Sequence, residues 1–111
     1  MGQSLTEKIK FKDNNLTWVS ITNPDSKSIA YLRRTYKFHP LDLEDCLSEM
    51  QRPKIDDYEN YLFIVLHLPV RSSRKKYIET SELKIFVGQN FVITLHDNNP
   101  ILKKIFKECK K

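Results

Sequence analysis

The sequence predicts an α/β fold, a mixed β-sheet with helices packed on it. Three observations carry that expectation. Leu16–Ile21 (LTWVSI) and Phe91–His96 (FVITLH) are short, β-branched and aromatic, which suits strands. Tyr61–Val70 (YLFIVLHLPV) is a continuous apolar run of strand length. SKSIAYLRRTYKF and ILKKIFKECKK instead repeat their apolar residues at helical spacing.

Taken in chain order, Ile9 and Phe11 alternate with Lys10 and Lys12, Asp13-Asn14-Asn15 turns, and Leu16–Ile21 returns. This reads as a hairpin. Asn23-Pro24-Asp25 opens a helix, because proline is tolerated in the first turn and Asn or Asp caps it. Ile29, Leu32 and Tyr36 lie along its apolar face. A second helix is expected from Pro40, ended by Gln51-Arg52-Pro53-Lys54, since the residue before proline resists the α region. Tyr58 to Val70 is expected as a central strand covered on both faces. Arg71 to Lys76 is a charged turn. Tyr77 to Val87 forms a strand with Leu83, Ile85 and Val87 on one face. Gly88-Gln89-Asn90 is a hairpin loop leading into Phe91–His96. Asp97 to Pro100 breaks the chain, and a basic amphipathic helix follows with Ile101, Leu102, Ile105, Phe106 and Cys109 on its apolar side. The expected order is β-β-α-α-β-β-β-α.

Length and composition bound the function. A chain of 111 residues fits a single domain over 1–111. At 40% hydrophobic and 30% charged it reads as globular rather than disordered. Cys46 and Cys109 match no metal or redox spacing and are too few for a disulfide scaffold, which suits a reducing compartment. The apolar run Tyr61–Val70 is about half the roughly 20 residues a spanning helix needs, and MGQSLTEKIKFKD has no apolar signal core. No P-loop, dinucleotide fingerprint or nucleophile elbow is present, and His39, His67 and His96 form no zinc-type pair. The expectation is therefore not an enzyme.

The stretch HPLDLEDCLSEMQRPK is the most unusual. The chain carries a net +5, yet Asp42, Glu44, Asp45 and Glu49 crowd into eight residues that contain no Lys or Arg. Outside residues 42–49, 19 basic residues face 10 acidic ones, a balance of +9. At about 100° per residue, Asp42, Asp45 and Glu49 fall within about 60° of one another. That makes one exposed acidic stripe of an amphipathic helix, with Glu44 apart on the flank and Leu43, Cys46, Leu47 and Met50 on the adjoining face. A solvated acidic face near a helix start needs no ligand. A hard divalent cation would equally relieve the Asp45/Glu49 repulsion, because Mg2+ and Ca2+ take carboxylate oxygens. The spacing leaves both readings open.

HPLDLEDCL, then QRPK, YENYLFIVL and ELKIFVGQNFVITLH, together with LTWVSITNP upstream, resemble the cytosolic N-terminal domain of CorA-type magnesium transporters. The resemblance runs from about residue 7 to the end. It implies the α/β/α soluble domain of that family, whose members are homopentamers with a stalk helix and two membrane-spanning helices. It also implies a magnesium-sensing role on the cytoplasmic side of the membrane. Mg2+, or Co2+, Ni2+ or Zn2+, would bind weakly between neighbouring subunits. By resemblance Asp45 matches the ligand aspartate and Glu44 the glutamate of a secondary ion position; the remaining ligands would come from a neighbour's stalk. The Gly-Met-Asn pore signature, the stalk and the spanning helices are not in this sequence. Read so, the chain is a sensor without a channel, either a piece of a longer protein or a shortened relative. Alone it is expected to be monomeric or weakly associated. Arg52 and Lys54 are expected to pair with the acids of 42–49 or with Asp56, Asp57 and Glu59. The alternatives from composition are a nucleic-acid-binding module using the basic surface and a ligand-free oligomerisation scaffold.

Overall fold

The computed structural model describes residues 3–48, 51–71, 78–97 and 99–110, with the backbone alone at 70, 71, 78 and 79. The first hairpin is β1 (Leu5–Phe11) and β2 (Leu16–Thr22), antiparallel with Ile9 opposite Trp18. Its turn places Asn15 at φ 52°, a left-handed conformation that asparagine accepts. Helix α1 (Ser26–Thr35) starts on Asp25 rather than on Pro24. Asp25 Oδ1 accepts from the Ser28 N–H and Ser28 Oγ accepts from the Asp25 N–H, each at 2.9 Å, a reciprocal cap.

Helix α2 (Pro40–Leu47) is followed by β3 (Lys54–Asp57), β4 (Tyr61–Arg71), β5 (Ile78–Gly88), β6 (Phe91–His96) and α3 (Pro100–Cys109). The mixed six-stranded sheet runs β1-β2-β6-β5-β4-β3. Among the described residues only β2 and β6 pair in parallel; the chain travels through α1, α2 and three strands between them. The β5–β6 hairpin needs Gly88, because a Cβ there would collide with the Phe91 ring.

Alternation along the strands sorts the two faces. Val19, Ile21, Phe63, Val65, Phe86, Ile93 and Leu95 turn to one side and pack with Ile29 and Leu32 of α1 and Leu43 and Cys46 of α2. Phe38, just ahead of α2, stacks on Phe86 at 4.0 Å and meets Tyr61 edge-on at 4.8 Å. Trp18 faces the opposite side, where Phe106 of α3 packs edge-to-face at 4.8 Å. The arrangement is α/β/α, as the resemblance implies.

Three expectations need correction. A fourth late strand exists: β3 has only four residues, KIDD, of which one is apolar, and it forms an edge. Second, β4 is not covered on both faces. Tyr61, Phe63 and Val65 are buried, but Leu62 and Ile64 are half-buried and Leu66 is exposed, because α3 covers that face near Trp18 of β2 rather than over β4. Third, α3 buries Phe106 and partly Leu102, while Ile101, Ile105 and Cys109 are exposed. The turn expected at Arg71 to Lys76 lies mostly outside the described residues, as do Glu49 and Met50.

Candidate functional site

The acidic segment is built on α2. His39 caps the helix: its Nδ1 accepts from the Leu41 N–H at 3.1 Å, and Pro40 fills the first helical position. The first acid, Asp42, is not on an exposed stripe. Only 2% of it is accessible. Tyr58 Oη donates to Oδ1 at 3.1 Å and Tyr61 Oη donates to Oδ2 at 2.9 Å. Tyr61 Oη also accepts from the His39 N–H at 2.8 Å. The two tyrosine rings stack at 4.7 Å, and His39 stacks on Tyr58 at 5.9 Å. Burial pushes the Asp42 carboxyl above the usual carboxylate range, against the hydrogen bonds from Tyr61 and Tyr58. Burial likewise pushes the Tyr61 hydroxyl up.

So Asp42 ties α2 to β4 and is closed to a metal ion. The stripe failed as a unit because angular proximity says nothing about where the buried arc ends. Asp42 shares its side of α2 with Leu43 and Cys46, both buried. The Cys46 thiol is pushed up to about 12 by that burial, so it stays a neutral core group.

Asp45 and Glu44 lie elsewhere on the helix. Glu44 is exposed. The Asp45 side chain is 24% accessible, and its Oδ2 lies 3.0 Å from Lys54 Nζ. The same ammonium is 3.1 Å from Asp56 Oδ2 of β3. Lys54 thus pairs with both groups of acids that the sequence offered it, and both carboxylates raise its pKa. Arg52 is exposed.

A second polar network holds the segment after α2. Glu82 of β5 accepts from the Gln51 N–H at 2.7 Å and pairs with Lys84, whose Nζ also donates to the Ser48 carbonyl at 3.3 Å. His67 Nε2 donates to the Gln51 carbonyl at 2.6 Å, which makes His67 a satisfied structural histidine. His96 is buried and its Nδ1 accepts from the Asn99 N–H at 3.0 Å, while Nε2 has no partner among the described residues. A cleft of about 1130 Å³ with mixed polar and apolar walls opens beside this network, lined by Asp25, Lys27, Leu47, Glu82, Lys84 and Leu95 among others. Its walls include neither Asp45 nor Glu44.

The sequence reading missed the Asp42–Tyr58–Tyr61 and Glu82–Lys84 contacts. Their one signal was compositional: charged residues inside strand and helix patterns that are otherwise apolar. As for metal, half-exposed Asp45 and exposed Glu44 offer hard oxygen donors suited to Mg2+. Among the described residues no three His, Cys, Asp or Glu side chains gather as a metal site.

Residues 13–111 match the family described as CorA-like Mg2+ transporter protein. The chain belongs to that family. Its similarity to the putative metal ion transporter YfjQ of Bacillus subtilis is 41% identity over 90 residues, 81% of this chain and 27% of that protein. To the cobalt/magnesium transport protein CorA of Thermotoga maritima it is 30% over 91 residues, 80% of this chain and 26% of that one. The chain therefore spans about a quarter of the length of these CorA-like relatives. The fold matches the soluble domain of CorA from Methanocaldococcus jannaschii with a TM-score of 0.70 at 24% identity, over 93% of this chain and 41% of that one. It matches the ZntB cytoplasmic domain from Vibrio parahaemolyticus with a TM-score of 0.71 at 10% identity, over 96% and 49%. The CorA-like family is one of transporters rather than enzymes at this level. No helix of the described residues is long and apolar enough to cross a membrane.

Proposed function

We propose that this chain is the divalent-cation-responsive cytosolic part of a CorA-like transporter. In this reading Asp45, with Glu44 beside it, contributes half of a Mg2+ site whose other ligands come from a neighbouring protomer of a homopentamer. One observation carries it: of the three acids of α2 whose structure is described, Asp42 is sealed in the fold, while Asp45 and Glu44 remain reachable from outside. The family and the names of the relatives support magnesium or cobalt as the ion.

The mechanism follows from charge. A carboxylate facing a neighbour's carboxylates repels them until a dication sits between. An assembly whose closed state binds that ion more tightly is shifted towards closure as the ion concentration rises, and released as it falls. Binding to a lone half-site is weak, in the millimolar range expected of sparsely liganded sites.

The test is a Mg2+ titration of the isotope-labelled chain followed by amide NMR shifts. Millimolar, fast-exchange shifts centred on Glu44 and Asp45 are expected, and Asp45→Ala abolishes them. Shifts centred on the Glu82–Lys84 cleft, or no shift at α2, would refute the assignment.

A further inference from the structure

The Asp45 carboxylate already holds a cation, and that cation belongs to the chain. Lys54 and Asp56 are two residues apart on β3 and lie opposite Val65 and Phe63 of β4, so their side chains share one face. That face turns towards α2. Lys54 Nζ therefore sits between Asp45 Oδ2 at 3.0 Å and Asp56 Oδ2 at 3.1 Å, with the Phe63 ring centroid 5.6 Å away. A monovalent cation is thus bracketed by carboxylates from two elements, above an aromatic floor.

We propose that Lys54 is the resident counter-ion of Asp45, and that a divalent cation reaches Asp45 only in exchange with the Lys54 ammonium. This rests on the reading of Asp45 as a ligand and supplies its regulation: Lys54 sets the affinity. A dication and an ammonium on the same carboxylate repel strongly at such range. The two cannot share Oδ2, and a tethered ammonium competes at a high effective concentration. Exchange is feasible because the contact is not sealed. The side chains of Lys54, Asp45 and Asp56 are 35%, 24% and 37% accessible. Exposed pairs of this kind are weak and open readily. Asp56 gives the displaced ammonium a partner to keep, so Lys54 can leave Asp45 without becoming unpaired. The arrangement biases the half-site towards weak binding when no neighbour supplies additional carboxylates. With them, the dication outcompetes a single positive charge.

The test is the Mg2+ affinity of the 111-residue chain carrying Lys54→Met, Lys54→Arg, Asp45→Ala and the Lys54→Met/Asp45→Ala pair, read by amide shifts. Lys54→Met keeps the stem and removes the charge; it is expected to tighten Mg2+ binding severalfold, up to about fivefold. Lys54→Arg stays near the wild-type affinity, and adding Asp45→Ala to Lys54→Met erases the gain. If Lys54→Met binds no more tightly, or if Lys54→Arg tightens equally, the exchange is refuted while Asp45 remains a ligand. If Asp45→Ala leaves the wild-type titration unchanged, the ligand reading fails and the exchange falls with it. A direct readout covers a Lys54→Met chain that fails to fold: the side-chain ammonium resonance of wild-type Lys54 is expected to move along the same Mg2+ curve as the Asp45 amide. A stationary Lys54 signal beside a moving Asp45 amide overturns the exchange.

Discussion

Asp42 is an acid in the interior whose two oxygens are both occupied by phenol donors. Removing it by Asp42→Ala strands the buried Tyr61 hydroxyl and the part-buried Tyr58 hydroxyl, at a cost of about 1–3 kcal/mol. Asp42→Asn keeps an acceptor, and its amide can donate to the second tyrosine oxygen, so its loss is expected to be smaller. The pH dependence has a definite sign. The folded carboxyl titrates above 3.8, so the native state holds a proton in a window where the unfolded chain has lost it. Stability then falls as pH rises from 3.8 through the folded value, and the penalty is constant above it. Urea unfolding at neutral and mildly acidic pH checks this: wild type gains from Asp42 on acidification, and Asp42→Asn lacks that gain. The sequence could not reveal the contact, because the tyrosines lie 16 and 19 residues further on, whereas a helical wheel compares only residues on one helix. The pairing of Lys54 with nearby acids was legible, because it needs only opposite charges at short separation.

At the level of elements, strong periodicity was readable and weak pattern was not. The hairpin β1–β2, helix α1 and hairpin β5–β6 each carry a strand or helix pattern together with a turn or cap residue, and each formed where expected. Strand β3 escaped because KIDD has one apolar residue in four, and Ile55 is 67% exposed. Its pairing with β4 is a tertiary choice, not a local one. The junction of β6 and α3 carries its own sensitivity. Burial holds the His96 imidazole below its ordinary value of 6.5, so the unfolded state binds protons that the native state refuses. The contribution is complete above 6.5 and is lost as pH falls from 6.5 through the folded value. His96 accepts from the Asn99 N–H, and Asn99 Oδ1 caps the Ile101 and Leu102 amides. Amide protection in α3, corrected for the intrinsic pH dependence of exchange, is therefore expected to fall on mild acidification before protection in β2 does. A uniform fall in both would contradict this coupling.

For the molecule as a whole, the two faces of the sheet are unequal. One is closed by α1 and α2 over a continuous core. The other carries α3 near Trp18, while Leu66 and Ile55 towards the β3 edge stay exposed, as do Ile101 and Ile105 of α3. The continuous apolar run Tyr61–Val70 had suggested cover on both sides, and that inference assumed a neighbour the described residues do not supply. The family, by contrast, was legible because four ordered blocks of sequence coincide with the pieces that meet around α2: HPLDLEDCL forms the helix, QRPK brings Lys54 to it, YENYLFIVL supplies Tyr58 and Tyr61, and ELKIFVGQNFVITLH supplies Glu82 and Lys84. Calorimetric titration of Mg2+ into the chain tests most directly whether α2 offers only half a site. Weak, millimolar binding without a stoichiometric plateau, diminished by Asp45→Ala, is the expected result. Tight one-to-one binding abolished by Asp45→Ala would mean that a single chain completes the site, and would contradict the account.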